Sequence, residues 1–298
     1  MLVRRWLDAA GITDPVLRHC YTVCAREVSA LGGGRGRWSA LRAAPASARP
    51  HTAALMAHGC RADACADTGP AQGRQRRLAE FAHATWSAFA AGGSRNPVLH
   101  ATVHTYRSLG MPLSLIEDMF TAMRRDVDFR DFATYAELRQ WATQMTGSPM
   151  YGVTWAMAGT ELTEAQPLVH EFAELCQLTD VLCDLSEDLD DGRLYLPLED
   201  LDQFAVRPED VKAKRWTPPM ADLIAFEAAR VTDRLPALAA ELDHTPVSPF
   251  TRALVELCTL HVAGVLSAGQ DVLHRPVQPP MGDFLDVWRP VMRTVIPC

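Results

Sequence analysis

Two pairs of aspartates have a spacing that brings both carboxylates of a pair onto one helix face. Asp63 and Asp67 form the first pair, and Asp184 and Asp188 form the second. Residues four apart lie one turn above each other, and like charges at this spacing repel by roughly a few tenths of a kcal/mol. A bound cation would offset this repulsion. Mg²⁺ is the natural candidate, because it takes carboxylate oxygens together with waters and substrate phosphate oxygens.

A third aspartate, Asp180, lies one turn before Asp184 and extends the same stripe. We assign it to the substrate-binding set, as a base or an additional ligand. The segment around it, residues 180–191, has no basic residue and six acids: Asp180, Asp184, Glu187, Asp188, Asp190 and Asp191. A single aspartate pair is also typical of a solvated helix face. The spacing alone therefore leaves a metal–diphosphate site and a solvated surface both open.

The composition is that of an ordinary globular protein with an acidic balance. The 298 residues include 29 Lys and Arg against 36 Asp and Glu, which gives a net charge of −7, and 48% are hydrophobic. This balance argues against nucleic acid as a partner. The eight cysteines form no C-x-x-C pair, so we expect mostly reduced thiols.

Helical periodicity dominates the chain, and alternating β-type patterns are nearly absent. Glycine and proline clusters, such as residues 32–34, 110–112 and 276–280, separate about ten predicted helices. No long linker or internal repeat divides the sequence. We predict one all-α domain over residues 1–298, a bundle of helices around a central space.

The N-terminus lacks the apolar segment of a signal peptide. The longest apolar stretch, residues 254–268, is interrupted by Glu256 and His261, so we expect no transmembrane segment. A soluble cytoplasmic protein is the default expectation, and the sequence does not indicate the oligomeric state.

Three segments resemble the phytoene/squalene synthase family. Residues 177–197, QLTDVLCDLSEDLDDGRLYLP, resemble the family's second aspartate signature, and residues 54–63 align with the stretch before its first motif, D-D-x-x-D. A third similarity lies within residues 126–147, through Asp126, Thr134, Glu137, Leu138 and Gly147. The resemblance covers roughly residues 15–275.

The resemblance implies an all-α isoprenoid-synthase bundle of the class I terpenoid type. Two aspartate-rich helices would face each other across a central cavity, where Mg²⁺ holds an allylic prenyl diphosphate. By matched positions, the catalytic metal ligands would be Asp63, Asp67, Asp184 and Asp188. The residues that hold or orient the diphosphate would be Gln177, Arg193 and Tyr195.

The chain departs from the family pattern where the family carries charge. The second Asp of the first motif is Ala64, and two expected arginines are Cys60 and Cys183. The differences also include Asp180 for Asn, Trp141 for Tyr and residues 34–38 for the N-terminal element. Family members bind two prenyl diphosphates, which requires cations for two highly charged groups. The losses therefore favour one diphosphate and one neutral acceptor.

The chain resembles a subgroup of this family that prenylates aromatic rings in secondary metabolism. We predict transfer of a short allylic group, with dimethylallyl expected, to a small aromatic acceptor such as a carbazole or a phenazine. Gly59, one turn before Asp63, would open space there. Arg35 and Arg37 could contact phosphate or belong to a solvated loop. Trp38 and Trp141 could wall the acceptor or pack in the core.

Other hypotheses remain beside this one. An ordinary head-to-head synthase would couple two prenyl diphosphates, and a class I cyclase would need no acceptor. A non-catalytic family member would have no reason to keep two self-repelling aspartate pairs. His58 could accept the ring proton, but its position points it away from the face of Asp63.

Overall fold

The computed structural model describes residues 2–30 and 41–294, which contain helices and no strand. The α-helices are α1 Leu2–Ala9, α2 Pro15–Ala30, α3 Arg49–Asp67, α4 Ala71–Ala91, α5 Pro97–Leu109, α6 Ser114–Val127, α7 Tyr135–Ala142, α8 Ser148–Ala158, α9 Gln166–Cys183, α10 Leu185–Asp190, α11 Leu198–Gln203, α12 Pro208–Lys212, α13 Pro218–Glu241, α14 Ser248–Ala268 and α15 Met281–Thr294. The predicted all-helical class is confirmed for this part of the chain. The structure has more helices than the ten predicted, because the chain also breaks at Asp184 and between Gln203 and Pro208, where no break was predicted.

The chain divides into two compact units. Unit 1 comprises Met1–Asp128, Ser148–Gln166 and Trp288–Cys298, and unit 2 comprises Phe129–Gly147 and Pro167–Val287. The single domain over residues 1–298 stays a prediction.

Helix α3 is the central helix of unit 1, and it carries the first aspartate pair. It packs against α1, α2, α4, α5, α6 and α8. Its inward positions are mostly alanine, and Ala53, Ala54, Ala57 and Ala62 are fully buried. Small side chains let several neighbours approach one helix closely, and the loss of side-chain entropy on burying alanine is nil. The alanine-rich sequence of α3 thus lets the neighbouring helices pack closely around the helix that carries Asp63.

Unit 2 is built around α9, α13 and α14. Helices α13 and α14 pack against each other and are joined by the short 3₁₀ turn Leu242–His244. Arg230 of α13 donates to both carboxylate oxygens of Asp200 at 2.6 and 2.8 Å, and to Glu227 at 2.8 Å. The same guanidinium lies over the Tyr135 ring at 3.9 Å. This buried ion network ties α7 and α11 to α13, so Asp200 has a structural role.

Helix α7 begins at a cap that explains part of the family resemblance. The Thr134 hydroxyl accepts a hydrogen bond from the Glu137 amide at 3.2 Å, and the Glu137 carboxylate accepts from the Ala133 amide at 2.9 Å. This arrangement is a variant of the capping box, in which a Thr and a Glu three residues later satisfy exposed amides at a helix start. Thr134 and Glu137 therefore define where α7 begins.

One segment of unit 2, Ser248–Leu273, is long and apolar enough to cross a membrane by length and composition. Only 22% of its most apolar 18-residue window is buried. The core helix of a globular protein passes the same test, so the indication is weak. The expectation that the chain has no transmembrane segment stays a prediction.

Candidate functional site

The first aspartate pair lies at the C-terminal end of α3. Asp67 is the last residue of the helix and is exposed, and Asp63 lies one turn earlier and is half-buried. A helix C-terminus carries partial negative charge, which disfavours a carboxylate by roughly 0.3–1 kcal/mol. A positive charge near this end would therefore be favourable for both carboxylates.

Arg61, the basic residue nearest to Asp63 in sequence, is held by other partners. Its guanidinium donates to both carboxylate oxygens of Glu27 on α2 and, at 2.9 Å, to the Asn96 side chain. Asn96 in turn accepts from the Val98 amide at 3.0 Å and caps the start of α5. Arg61 thus links α2, α3 and α5. This guanidinium does not take the place of the arginine that Cys60 replaces.

Gly59 lies one turn before Asp63 and borders open space. A Cβ atom built at Gly59 would meet no atom within 4 Å other than those of its own helix backbone and chain neighbours. Gly59 is half-buried, so this space lies in a partly enclosed surface of unit 1. The predicted opening beside Asp63 is present.

The second aspartate group lies on one open face of α9 in unit 2. Gln177 and Asp184 are half-buried and Asp180 is exposed, whereas the intervening Leu178, Thr179 and residues 181–183 are buried. The Gln177 side-chain oxygen accepts from the Thr146 hydroxyl. Its amide NH₂ is directed by this contact and has donor capacity for an anionic oxygen.

The aspartate spacing predicted one helix that continues through Asp184. In the structure, helix α9 does not continue through this residue. It ends at Cys183, and α10 begins at Leu185. The Cys183 carbonyl accepts from the Val277 amide at 2.9 Å, and the Glu187 amide bonds to Asp184 instead. An amide from a distant part of the chain thus interrupts the hydrogen bonds of the helix. Interruptions of this kind kink helices. The Asp188 amide still bonds to the Asp184 carbonyl at 2.9 Å, so the helical i,i+4 step between these residues is kept.

Burial, with a smaller contribution from Glu187, raises the pKa of Asp184 above its ordinary value. Burial acts in this direction because it penalises the charged form of a carboxylate. A nearby cation reverses this effect, since it favours the ionised form. A nearby cation would therefore offset the free-energy cost of ionising Asp184 in these surroundings.

Arg193 is positioned by the way α10 ends. Gly192 adopts φ +78°, the Arg193 amide bonds to the Asp188 carbonyl at 2.8 Å, and the Gly192 amide bonds to that of Leu189 at 3.1 Å. These two bonds form a Schellman motif, which needs a residue in the left-handed region and so favours glycine. The Gly192-Arg193 dipeptide of the signature thus turns the chain so that the Arg193 backbone lies next to that of Asp188.

Asp190 and Asp191 of the acidic segment face basic partners. Asp190, an exposed residue, accepts from the Lys214 ammonium at 2.6 Å, and Asp191 lies 3.9 Å from the Arg193 guanidinium. Lys214 also donates to the Ser186 carbonyl at 3.2 Å. The acidic cluster therefore has an outer part that is paired with bases.

Tyr195 and Trp141 lie together in an aromatic cluster of unit 2. Their ring centroids are 5.0 Å apart, and both rings contact Phe132. Trp141 and Tyr195 are 3% and 5% exposed. The Trp141 indole N–H is buried and has no hydrogen-bond partner among the described residues. The burial favours core packing for Trp141, and its contact with an acceptor stays a prediction.

The predicted Arg37, with Arg35 and Trp38, lies outside the residues that the structure describes. Within residues 2–30 and 41–294, no group of three or more His, Cys, Asp and Glu side chains is arranged to hold a metal ion. Asp63 and Asp67 belong to unit 1, and the other predicted ligands belong to unit 2. Sequence reasoning missed Thr146 and Val277, because neither lies in an aspartate motif.

His58 is a core residue of unit 1. It is 3% exposed, its Nε2 lies 3.1 Å from the Thr85 hydroxyl, and its ring contacts Phe81 and Phe120. Burial, with a smaller contribution from Arg61, lowers the pKa of His58 from 6.5 to about 4. We interpret it as a packed neutral imidazole.

This shift predicts an acid-sensitive stability. Between pH 6.5 and 4 the unfolded chain binds a proton at His58 and the folded protein does not, so the stabilisation present above pH 6.5 is lost as the pH falls. Over this pH range, the free energy of unfolding of the His58→Gln variant should fall by about 3 kcal/mol less than that of the unsubstituted protein. Urea unfolding at several pH values measures it. The remaining pH dependence includes His51, whose pKa burial also lowers to about 4. An identical pH profile in the variant would contradict the expectation.

Comparison with known proteins places this arrangement in a family. The sequence model of squalene/phytoene synthases matches residues 32–283. The chain belongs to the squalene/phytoene synthase family. This confirms the resemblance that the two aspartate segments predicted.

Relatives of the squalene/phytoene synthase family include the bifunctional protein CrtB/UppS of Streptomyces coelicolor. It is 31% identical over 207 residues, which cover 69% of this chain and 36% of that protein. A phytoene synthase of Thermus thermophilus is 32% identical over 146 residues, or 48% of this chain and 49% of that one. The chain thus spans about a third and about half of these two relatives.

A solved dehydrosqualene synthase has a similar fold, with a TM-score of 0.80. The sequences are 17% identical, and the match covers 94% of this chain and 97% of the other. This likeness confirms the predicted all-α isoprenoid-synthase fold of the squalene/phytoene synthase family.

Proposed function

We propose that this chain is a Mg²⁺-dependent prenyltransferase that ionises an allylic prenyl diphosphate. The observation that carries the proposal is the open face of α9 with Gln177, Asp180 and Asp184, in a chain that belongs to this family. The two aspartate pairs retain the spacing of metal-binding carboxylates. Their electrostatic positions, at a helix C-terminus and in a partly buried kink, favour a cation partner.

The donor set fits Mg²⁺. The candidate ligands Asp63, Asp67, Asp184 and Asp188 are all hard oxygen donors. Mg²⁺ is usually bound by one or two carboxylates, with waters and substrate phosphates filling the other positions. A preformed group of three or more protein ligands is therefore not required. When bound, Mg²⁺ supplies positive charge that stabilises the departing pyrophosphate.

The chain's own residues would hold and orient the diphosphate. Gln177 would donate from the amide NH₂ that its contact with Thr146 directs. Arg193 would contribute a guanidinium, which binds phosphate oxygens in a planar, two-point geometry. Tyr195, held in the aromatic cluster, would support the wall beside them. Arg37 would add a further phosphate contact.

We favour a neutral aromatic acceptor over a second diphosphate. Cys60 and Cys183 replace arginines of the family pattern, and Arg61 is engaged by Glu27 and Asn96. These three positions therefore supply no cation for a second highly charged group. The open space at Gly59 suits a planar ring such as a carbazole or phenazine, with dimethylallyl diphosphate as donor. The product would belong to secondary metabolism.

Head-to-head coupling of two prenyl diphosphates is the second candidate. Its support is that the Thermus thermophilus relative is a phytoene synthase and that a structural neighbour is a dehydrosqualene synthase.

Product analysis separates the two candidates. Purified protein with Mg²⁺ is given dimethylallyl diphosphate and a panel of tricyclic aromatics, and in parallel geranylgeranyl or farnesyl diphosphate alone. We expect mass spectrometry to detect a prenylated aromatic in the first reaction. A C30 or C40 hydrocarbon in the second would overturn the aromatic proposal, and a cyclic product without acceptor would indicate a terpene cyclase. No product in either reaction would support a non-catalytic protein.

A further inference from the structure

Two cysteines from different helices of unit 2 are in direct contact. The Cys258 thiol of α14 donates to the Cys176 sulfur of α9, and the two Sγ atoms are 3.7 Å apart. Both are reduced in this structure. A disulfide needs an S–S distance of about 2.05 Å, so the sulfurs would have to approach by about 1.6 Å.

The Cys176 side of this pair lies on the open face of α9. Cys176 is half-buried, directly precedes Gln177 and lies one turn before the exposed Asp180, while Cys258 is 6% exposed. Cys176 is thus the less buried residue of the pair, and it lies beside the proposed diphosphate contacts. The hydrogen bond from Cys258 and burial raise the pKa of the Cys176 thiol, which lowers its thiolate fraction, so we expect its reaction with a peroxide to be slow.

We propose that Cys176 and Cys258 form a redox-modification site, which a peroxide converts to an intrachain disulfide. The Cys176 sulfur attacks one peroxide oxygen, the O–O bond breaks, and a sulfenic acid and water result. The Cys258 sulfur then attacks the Cys176 sulfur, the S–O bond breaks, and a second water leaves as the disulfide forms. In total, two thiols lose two electrons and two protons, and one hydrogen peroxide becomes two waters.

We expect the disulfide to change the position of the α9 face. The sulfurs approach by about 1.6 Å through rotation of the two side chains together with a shift of α9 or α14, and Gln177 adjoins Cys176. A displacement of about 1 Å at a positioning residue can lower turnover about a hundredfold. Oxidation should therefore lower prenyl transfer at least tenfold, and this consequence rests on the proposed function.

Mass spectrometry of the full chain tests the modification independently of activity. Treatment with hydrogen peroxide should lower the intact mass by about 2 Da and give one non-reduced peptide pair that contains Cys176 and Cys258. Dithiothreitol should restore both thiols. The Cys258→Ala variant should give no such pair, whereas a Cys20→Ala/Cys24→Ala control on α2 should still give it. A bond between Cys176 and any other cysteine, or none, would overturn the proposal.

Turnover measurements test the effect on α9. The oxidised protein should form product at least tenfold more slowly and recover with dithiothreitol, and the Cys176→Ala variant should keep its rate under peroxide. Unchanged turnover in fully cross-linked protein would overturn the predicted displacement. If the untreated protein has no turnover at all, the proposed function fails, and the peptide map still decides whether the disulfide forms.

Discussion

The Asp184→Asn variant is expected to lose product formation by roughly a hundredfold to a thousandfold, without losing stability. The substitution keeps the size of the side chain and removes the charge that would hold Mg²⁺. Burial raises the pKa of Asp184, which means that keeping this carboxylate ionised at neutral pH opposes folding. An uncharged asparagine removes that cost. The melting temperature should therefore stay equal or rise while turnover falls.

Asp190→Asn is the matched control. It removes a carboxylate from the same acidic segment, six residues later, but this side chain is exposed and paired with Lys214 at 2.6 Å. An exposed ion pair contributes at most about 1 kcal/mol to stability, so both the turnover and the melting temperature should change little. Steady-state rates and thermal unfolding of the two variants are compared side by side. Full activity in Asp184→Asn would contradict a catalytic role for this pair and support a non-catalytic protein.

Gly59→Leu is expected to lower transfer to an aromatic acceptor about a hundredfold, while slow hydrolysis of the allylic diphosphate continues. A Cβ at residue 59 meets no atom within 4 Å, so a side chain can start here without a clash, and a leucine would extend into the space proposed for the acceptor. Replacing a helical glycine also favours the helix by about 1 kcal/mol, so misfolding is not expected. The misplaced acceptor accounts for the loss, because transfer depends on close approach of the two reactants.

Gly59→Ala provides a graded control, since one methyl group leaves most of the space free. Its transfer rate should fall by less than about tenfold. Released pyrophosphate and prenylated product are measured in the same reaction, so ionisation and transfer are separated. If both fall equally in the leucine variant, the space serves the diphosphate or its prenyl chain. If neither falls, the acceptor lies elsewhere.

The sequence predicts those parts of the protein that depend on local pattern. Helical periodicity and four-residue aspartate spacing act within a few turns of chain, so the helical class and the segments that carry both pairs could be identified. The break at Asp184 could not, because it results from the Val277 amide, which is distant in sequence. The engagement of Arg61 likewise depends on Glu27, which lies on another helix. Contacts of this kind carry no local signal.

The aromatic residues show that side-chain packing also could not be predicted from the sequence. Tyr195 was assigned to substrate binding by its matched position, and Trp141 was expected to wall the acceptor or to pack in the core. Both are buried in contact with each other. Their burial depends on how the segment around Phe132 packs against residues 177–197. The chemical type of a single residue does not determine this packing. The space at Gly59 was predicted from the missing side chain on a helix face, and it is present because no neighbour fills it.

The hydrogen bond between Val277 and Cys183 has a consequence for the order in which the protein is built. Residues 177–193 leave the ribosome well before Val277 does, so the nascent α9 has no external amide to break its ladder. A newly made segment is free to form one straight helix through Asp184. The kinked geometry of the second aspartate pair is then reached only after the chain beyond α14 has been synthesised and has docked. The proposed metal-binding face therefore reaches its final geometry late in the synthesis of the chain.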